Sequence, residues 1–258
     1  MSKFFRTKFP GPYRIYQEIV GDIYYEVLCL GGLLRRLSGK RLKALEKTGI
    51  HPLEVVNGFK GLGLYRSIKP VQMKTEIMKL YEMVKERAPE AICEIGTDKG
   101  GTLYMWSKAV RPEGTLISID LPRTYRRPLN RFFRSFFTKA QKPHFLLVNS
   151  HTQRCKDKVS ELLEGKGIDF LFIDGDHSYE GVKSDFHLYY EFVKKPGIIA
   201  FHDILDKCGV DRFWAEIKPK YRSMELVEDY NQNCAGIGVV FLDDEGSVKE
   251  DTGIVAGS

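Results

Sequence analysis

Between residues 91 and 218 five short apolar runs, AICEIG, TLISID, HFLLVNS, IDFLFID and GIIAFHD, each give way to a stretch long enough for a helix. Runs so continuously apolar must be buried on both faces, and a parallel sheet covered by helices on each side provides that burial. The alternation predicts an α/β chain with a Rossmann-like sheet. RSMELVED and GIGVVFLDD then follow one another with a Gly-containing loop and no helix between them. That ending predicts an antiparallel pair at one edge of an otherwise parallel sheet.

The segment before the first strand reads differently. Val71, Ile77, Leu80, Tyr81 and Val84 fall at helical spacing within 69–87, ahead of Pro89, and predict one amphipathic helix. Upstream, 13–37 and 39–47 look helical but are punctuated by Gly and Pro, with no strand-like alternation. The expected organisation is an N-terminal helical extension over 1–68, the α/β domain over 69–245 and a flexible tail over 246–258. A chain of 258 residues that is 43% hydrophobic can bury one large core of this kind.

Charge and cysteine usage narrow the class. The net charge of +6 is basic, yet no recognised nucleic-acid module is present, so no specific nucleic-acid partner is expected. Five scattered cysteines without a C-x-x-C pair point to free thiols in a reducing, cytoplasmic setting. The most apolar early stretch, YYEVLCLGGLL, contains Glu26 and is shorter than the roughly 20 residues a spanning helix needs. Neither secretion nor a membrane span is expected.

Polar clusters sit where the strands end, which is where open α/β sheets bind ligands. After the first strand comes Glu94-Ile95-Gly96-Thr97-Asp98-Lys99-Gly100-Gly101-Thr102, a glycine-rich turn leading into the free N–H groups of a helix. After the second comes Asp120, placed to accept hydrogen bonds from ribose hydroxyls. The loop reads G-x-x-x-G-G with an acidic residue two positions upstream, not the G-x-G-x-x-G of a dinucleotide site. Asp174 ends the fourth strand and His202-Asp203 the fifth; neighbouring strands lie under about 5 Å apart, so these groups can converge on a hard divalent cation such as Mg²⁺.

The loop resembles the first motif of class I S-adenosylmethionine-dependent methyltransferases, whose seven-stranded sheet has a similar helix-free edge. FIDGDHSYEGVKSD (172–185), GIIAFHD, GVDRFW and AGIGVVF resemble in particular the cephalosporin-hydroxylase-like and macrolide-sugar O-methyltransferase group, over roughly residues 69 to 242. The resemblance implies S-adenosylmethionine as cofactor, held by Glu94, Gly96, Gly100, Gly101, Thr102, Asp120, Asp174 and, near the adenine, Asn149. It further implies a divalent cation on Asp174 and Asp203 with His202 beside them, and His177 as general base. His202 stands where the group commonly carries Asp or Glu, and an imidazole tilts preference toward Mn²⁺, Fe²⁺ or Zn²⁺. The implied reaction is methylation of a hydroxyl on a sugar, glycan or secondary metabolite.

Other polar residues carry blander expectations. Asp176 reads as a cap near Ser178, Tyr179 and Asp185 as packing and solvated-face residues, and His144, His151 and His187 as having no convergent partners. The stretch 123–142 has no acidic residue; Phe132, Phe133, Phe136 and Phe137 alternate with Arg127, Arg131 and Arg134 as in a basic amphipathic helix. It fits a packed helix with a solvated cationic face, a lid over an anionic acceptor, or contact with an anionic membrane, the last encouraged by Arg35, Arg36, Lys40, Arg41 and Lys43. A lipid-linked acceptor and a homo-oligomer are compatible with these surfaces. Two rival functions remain at this level: an NAD(P)-dependent oxidoreductase, and a non-catalytic protein that keeps the fold and docks an anionic surface.

Overall fold

The computed structural model describes residues 30–123, 126–205, 207–232 and 235–243. A seven-stranded sheet runs through it in the order β3-β2-β1-β4-β5-β7-β6. The strands are β1 (Ala91–Ile95), β2 (Thr115–Asp120), β3 (Lys142–Leu147), β4 (Ile168–Ile173), β5 (Val193–His202), β6 (Arg222–Leu226) and β7 (Ile237–Leu242). The first five are parallel, and β7 pairs antiparallel with both β5 and β6. The expected sheet and its antiparallel edge are both present.

Strand side chains alternate between two cores, as the two-residue period requires. Ile92, Leu116, Phe170, Phe172, Ile198 and Ala200 face one core; Cys93, Ile95, Ile117, Ile119, Leu171, Ile173, Ile199 and Phe201 face the other. The first is covered by α3 (Lys74–Glu86), α4 (Gly101–Ala109) and α5 (Arg126–Phe133), the second by α6 (Gln153–Leu163), α7 (Tyr179–Tyr189) and α8 (Val210–Ile217). Leu42, Leu53, Val55, Val56, Phe59 and Tyr65, from α1 (Gly31–Glu46), α2 (Pro52–Gly58) and the turn beyond, join the first core. The described part of the N-terminal region thus shares a core with the sheet.

Three boundaries differ from the sequence reading. Helix α1 passes through Gly39 without a break: a Cβ there would meet nothing within 4 Å, and one helical glycine costs only about 1 kcal/mol. Helix α3 begins at Lys74, because 69–73 instead crosses the glycine turn, where the carbonyl of Ile68 and the nitrogen of Pro70 lie 2.5 Å from a Cβ built on Gly101. Strand β5 starts at Val193, ahead of the apolar run that begins at Gly197 and before Pro196. The part of 13–37 before residue 30 and the tail 246–258 lie outside the described residues.

The basic stretch folds around its phenylalanines. Phe132, Phe133 and Phe136 are fully buried and Phe137 nearly so, against Phe59, Tyr65, Tyr104 and Phe145, while Arg127, Arg131 and Arg134 stay exposed. This is the packed helix with a cationic outer face.

Candidate active site

The sheet reverses its winding between β1 and β4, which leaves a crevice at their carboxyl ends. Asp174 N donates to the carbonyl of Ile95 at 2.8 Å, tying the two strand ends together there. Gly96 turns away at φ 88°, and a Cβ on it would lie 1.9 Å from the Asp174 carbonyl oxygen, so no other residue fits. Gly100 is equally constrained: φ is 82° and the ring of the buried Phe133 lies 2.6 Å from its Cβ position. The glycines are required by packing of the protein on itself, and ligand approach alone does not explain them.

The turn is held from beneath by Glu94. Its carboxyl group is completely buried, takes hydrogen bonds from Trp106 Nε1 at 3.0 Å and Thr97 Oγ1 at 2.9 Å, and interacts with the Thr102 hydroxyl. Burial outweighs these donors and pushes its pKa up to about 8. From the front, Asp120 Oδ2 accepts from Thr97 N at 3.2 Å and Asp98 N at 3.1 Å, and pairs with Arg126 Nη2 at 3.0 Å.

Two adjoining cavities open on this turn. One of about 360 Å³ is lined by Gly96, Asp120, Leu121, Asn149, Ser150 and His151, among others. The other, about 270 Å³, is lined by Lys69, Gln72, Lys99, Gly101, Thr102 and Asp174, among others. Gly96, Asp120, Arg123, Gly175 and His177 border both, which makes them two lobes of one crevice. A larger cavity of about 600 Å³ runs along β3 and α6, away from these groups. Of the residues expected at a cofactor, Glu94 and Gly100 border neither lobe and act from behind the turn.

Beside the crevice the tips of β4 and β5 bring four ionisable side chains together. His202 Nδ1 is 3.0 Å from Asp174 Oδ1 and 3.3 Å from Asp203 Oδ2, with its ring buried. His177 Nδ1 is 3.1 Å from Asp203 Oδ2 and its Nε2 is 3.5 Å from Asp174 Oδ1, with the ring reaching both lobes. Burial opposes charge on His202, but Asp174 and Asp203 prevail and lift its pKa to about 10. The hydrogen bond with Asp174 likewise raises His177, against its partial burial. Asp203 loses solvation but is held below the usual carboxylate range, chiefly by His202. Its left-handed backbone, φ 62°, is fixed by Ala235 N, which donates to Oδ1 at 2.9 Å.

Potential ligand atoms of Asp174, His177 and Asp203 all lie within 4.8 Å of one another. That group contains His177, while the expected ligand His202 has its Nδ1 beside the same two carboxylates. His202 is turned into the protein, with Nε2 buried and without a hydrogen-bond partner.

Several residues escaped the sequence reading. Gln72 Nε2 donates to Asp174 Oδ2 at 2.6 Å from a loop some hundred positions away, which no local pattern signals. Arg126 is buried, its guanidinium bonded to the Asp98 carbonyl and Asp120; it lies three positions before Leu129 and seven before Phe133, on the apolar stripe, and that misplaced charge was a readable sign. His151, expected to lack partners, has Nε2 3.3 Å from Asp185 Oδ1, and Asp185, expected on a solvated face, is fully buried. Burial pushes the Asp185 carboxyl up to about 6. Asp176 does behave as a local cap: its Oδ1 accepts from Ser178 N at 2.9 Å, and Ser178 caps α7 through Gly181 N.

Residues 93–204 match the family model described as a methyltransferase domain. An uncharacterized protein, R132, of Acanthamoeba polyphaga mimivirus is 37% identical over 122 residues, covering 44% of this chain. The chain spans about half, 51%, of that curated relative's length. Among solved structures, a candidate caffeoyl-CoA O-methyltransferase of Staphylococcus aureus superposes with a TM-score of 0.55 at 17% identity, over 80% of this chain and 99% of that one. The O-methyltransferase TomG of Streptomyces achromogenes, solved with S-adenosylmethionine, gives 0.52 at 16% identity, over 78% and 89%. At these identities the likeness is one of fold.

Proposed function

We propose, on the premise that residues 93–204 are a methyltransferase domain on a class I sheet, that the protein transfers a methyl group from S-adenosylmethionine to an acceptor hydroxyl. The observation that carries this reading is the single crevice in which the glycine turn and Asp120 meet His177 and Asp174. The nucleoside fits the lobe of Asp120, Leu121 and Asn149; the contacts of Asp120 with Thr97, Asp98 and Arg126 all use Oδ2, which leaves Oδ1 for ribose hydroxyls. The methionine part fits the lobe of Gly96, Gly101, Thr102 and Asp174, with Glu94 and Gly100 shaping the turn from behind.

His177 supplies the proton acceptor. With Nδ1–H directed at Asp203, Nε2 takes the hydroxyl proton while the acceptor oxygen bonds to the methyl carbon and the sulfur–methyl bond breaks. The products are the methyl ether, S-adenosylhomocysteine and a protonated His177, which Asp174 stabilises. The same residues fit a divalent cation: two carboxylates and an imidazole with donor atoms within 4.8 Å suit Mg²⁺ by the oxygens and Mn²⁺ or Zn²⁺ by the nitrogen. Such an ion would be held by Asp174, Asp203 and His177 or His202, and would supply acidification of the acceptor hydroxyl. Ligand and base are alternative duties for His177.

Lys69 and Lys99, exposed on the lobe that holds Asp174, together with Arg123, support an anionic acceptor such as an acidic or phosphorylated sugar or a secondary metabolite. On α1, Leu33 and Leu37 are exposed beside Arg36 and Lys40, which supports peripheral contact with an anionic membrane and so a lipid-linked acceptor. Among the described residues no helix is long and apolar enough to cross a membrane. Cys93 and Cys155 are free, buried thiols, in keeping with a cytoplasmic enzyme. The test is methyl transfer from labelled S-adenosylmethionine to a panel of acidic and neutral hydroxyl acceptors, with chelator or with added Mg²⁺ or Mn²⁺. Transfer to hydroxyls is expected, and cofactor binding with no transfer to any of them would favour the non-catalytic binding reading.

A further inference from the structure

The cavity of about 600 Å³ along β3 and α6 has no part in the proposed methyl transfer. Strand β3 ends the sheet order, so one of its edges has no neighbouring strand among the described residues. Lys142 N donates to the Gly114 carbonyl at 2.9 Å and Val148 N to the Asp120 carbonyl at 3.0 Å, which turns the even-numbered residues of β3 toward β2. The same alternation turns Pro143, Phe145 and Leu147 outward. Pro143 has no N–H to offer, a common guard on an edge strand, but Phe145 and Leu147 present both an N–H and a carbonyl.

Beside this edge runs a charged stripe. Arg154, Asp157, Lys158 and Glu161 are exposed, and their i, i+3, i+4, i+7 spacing sets them on one side of α6, where all four line the cavity. Along the helix their signs run plus, minus, plus, minus. Reversing the direction turns that series into its complement, so against an antiparallel copy Arg154 meets Glu161 and Asp157 meets Lys158. A two-fold axis requires such self-complementarity, because the same patch faces itself. Lys158 and Glu161 also pair within the helix at 2.7 Å and Gln153 bonds Asp157, whereas Arg154 has no partner among the described residues.

We infer that a second copy of this chain occupies the groove, the two β3 strands pairing antiparallel about a two-fold axis at Leu146 to make one sheet across both subunits. In that register the outward N–H and carbonyl of Phe145 exchange hydrogen bonds with those of Leu147 of the partner subunit. Phe145 packs against the partner's Leu147 on one face of the sheet and Leu146 against the partner's Leu146 on the other, which turns half-buried apolar side chains into cross-strand pairs. The axis stands perpendicular to the sheet, so both α6 helices lie on the same face with their stripes opposed. Arg134, over the Phe145 ring at 5.4 Å, is a like charge near the axis, and exposed ion pairs are individually weak, so the dimer is of micromolar strength.

The test is sedimentation velocity on the full chain from about 1 to 100 µM, with hydrogen exchange at both ends of that range. A reversible dimer is expected, with the Phe145 and Leu147 amides better protected at the higher concentration. Arg154→Glu and Glu161→Arg should each weaken the dimer about tenfold or more, since the two-fold axis repeats every repulsion. The double variant, which restores opposite charges across the axis, should return to within a few-fold of wild type. Leu147→Pro, which removes an outward N–H while sparing the bonds to β2, should leave a monomer. If it does not fold, the α6 variants decide alone, since they change exposed residues. A wild type that stays monomeric would overturn the inference, and protected Phe145 and Leu147 amides in that monomer would assign the edge to another segment of the same chain. A dimer unmoved by the single reversals, or not recovered in the double variant, would overturn it equally.

Discussion

At the scale of single residues the site divides into groups that face the crevice and groups that support them. His177 faces it, and His177→Ala should lower kcat by a factor of about 100 or more while leaving S-adenosylhomocysteine binding in place. A kcat within a few-fold of wild type, measured in labelled-methyl transfer, would remove it as the base. Glu94 supports. Its folded pKa of about 8 lies above the ordinary 4.5, so between those values the native state keeps a proton that the unfolded chain releases. Its contribution to stability is present below pH 4.5 and lost as pH rises through 8, at up to about 1.4 kcal/mol per pH unit. Chemical denaturation between pH 5.5 and 8.5 should therefore show a smaller loss of stability in Glu94→Gln than in wild type; parallel losses would contradict the buried, protonated carboxyl. Asp174 and Asp203 were legible because they follow strand ends in a recognisable order, and His177 through the resemblance of its segment. Gln72 and the His151–Asp185 pair were not assigned, because their partners come from elements distant in sequence, whereas Arg126 was missed although its charge on the apolar stripe was readable.

Among the elements, the strands were read well and the helix boundaries less well. Buried parallel strands carry their signal in composition, whereas helix ends depend on tertiary neighbours such as the 69–73 segment crossing Gly101. The glycine turn was read as room for a ligand, but the tighter demand comes from Phe133 and the Asp174 carbonyl. Two substitutions separate these causes. Gly100→Ala puts a methyl group 2.6 Å from the Phe133 ring at a positive φ, and should destabilise the fold by about 1 to 3 kcal/mol in denaturant titrations. Gly39→Ala, in the middle of α1 with nothing within 4 Å of the new Cβ, should stabilise it by about 0.5 to 1 kcal/mol. Equal effects of the two changes would show that local packing at the turn is not what demands glycine.

For the molecule as a whole, the winding order of the sheet is what brings distant sequence segments to one place. β1 and β4 lie side by side although more than seventy residues separate them, and the reversal between them opens the crevice where the glycine turn, Asp120 and the Asp174–His177–Asp203 cluster face one another. The parallel sheet with its antiparallel edge was foreseeable from alternation of apolar runs and helix-length stretches; the strand order was not. The proposed acceptor contacts were not, because Lys69, Lys99 and Arg123 stand on loops with no pattern of their own. Isothermal titration of the full chain with S-adenosylhomocysteine, alone and with Mg²⁺ or Mn²⁺, is the most direct test of the central claim. Saturable binding at one site, weakened in Asp120→Ala, is the predicted result; no detectable heat at millimolar ligand under any of these conditions would contradict it.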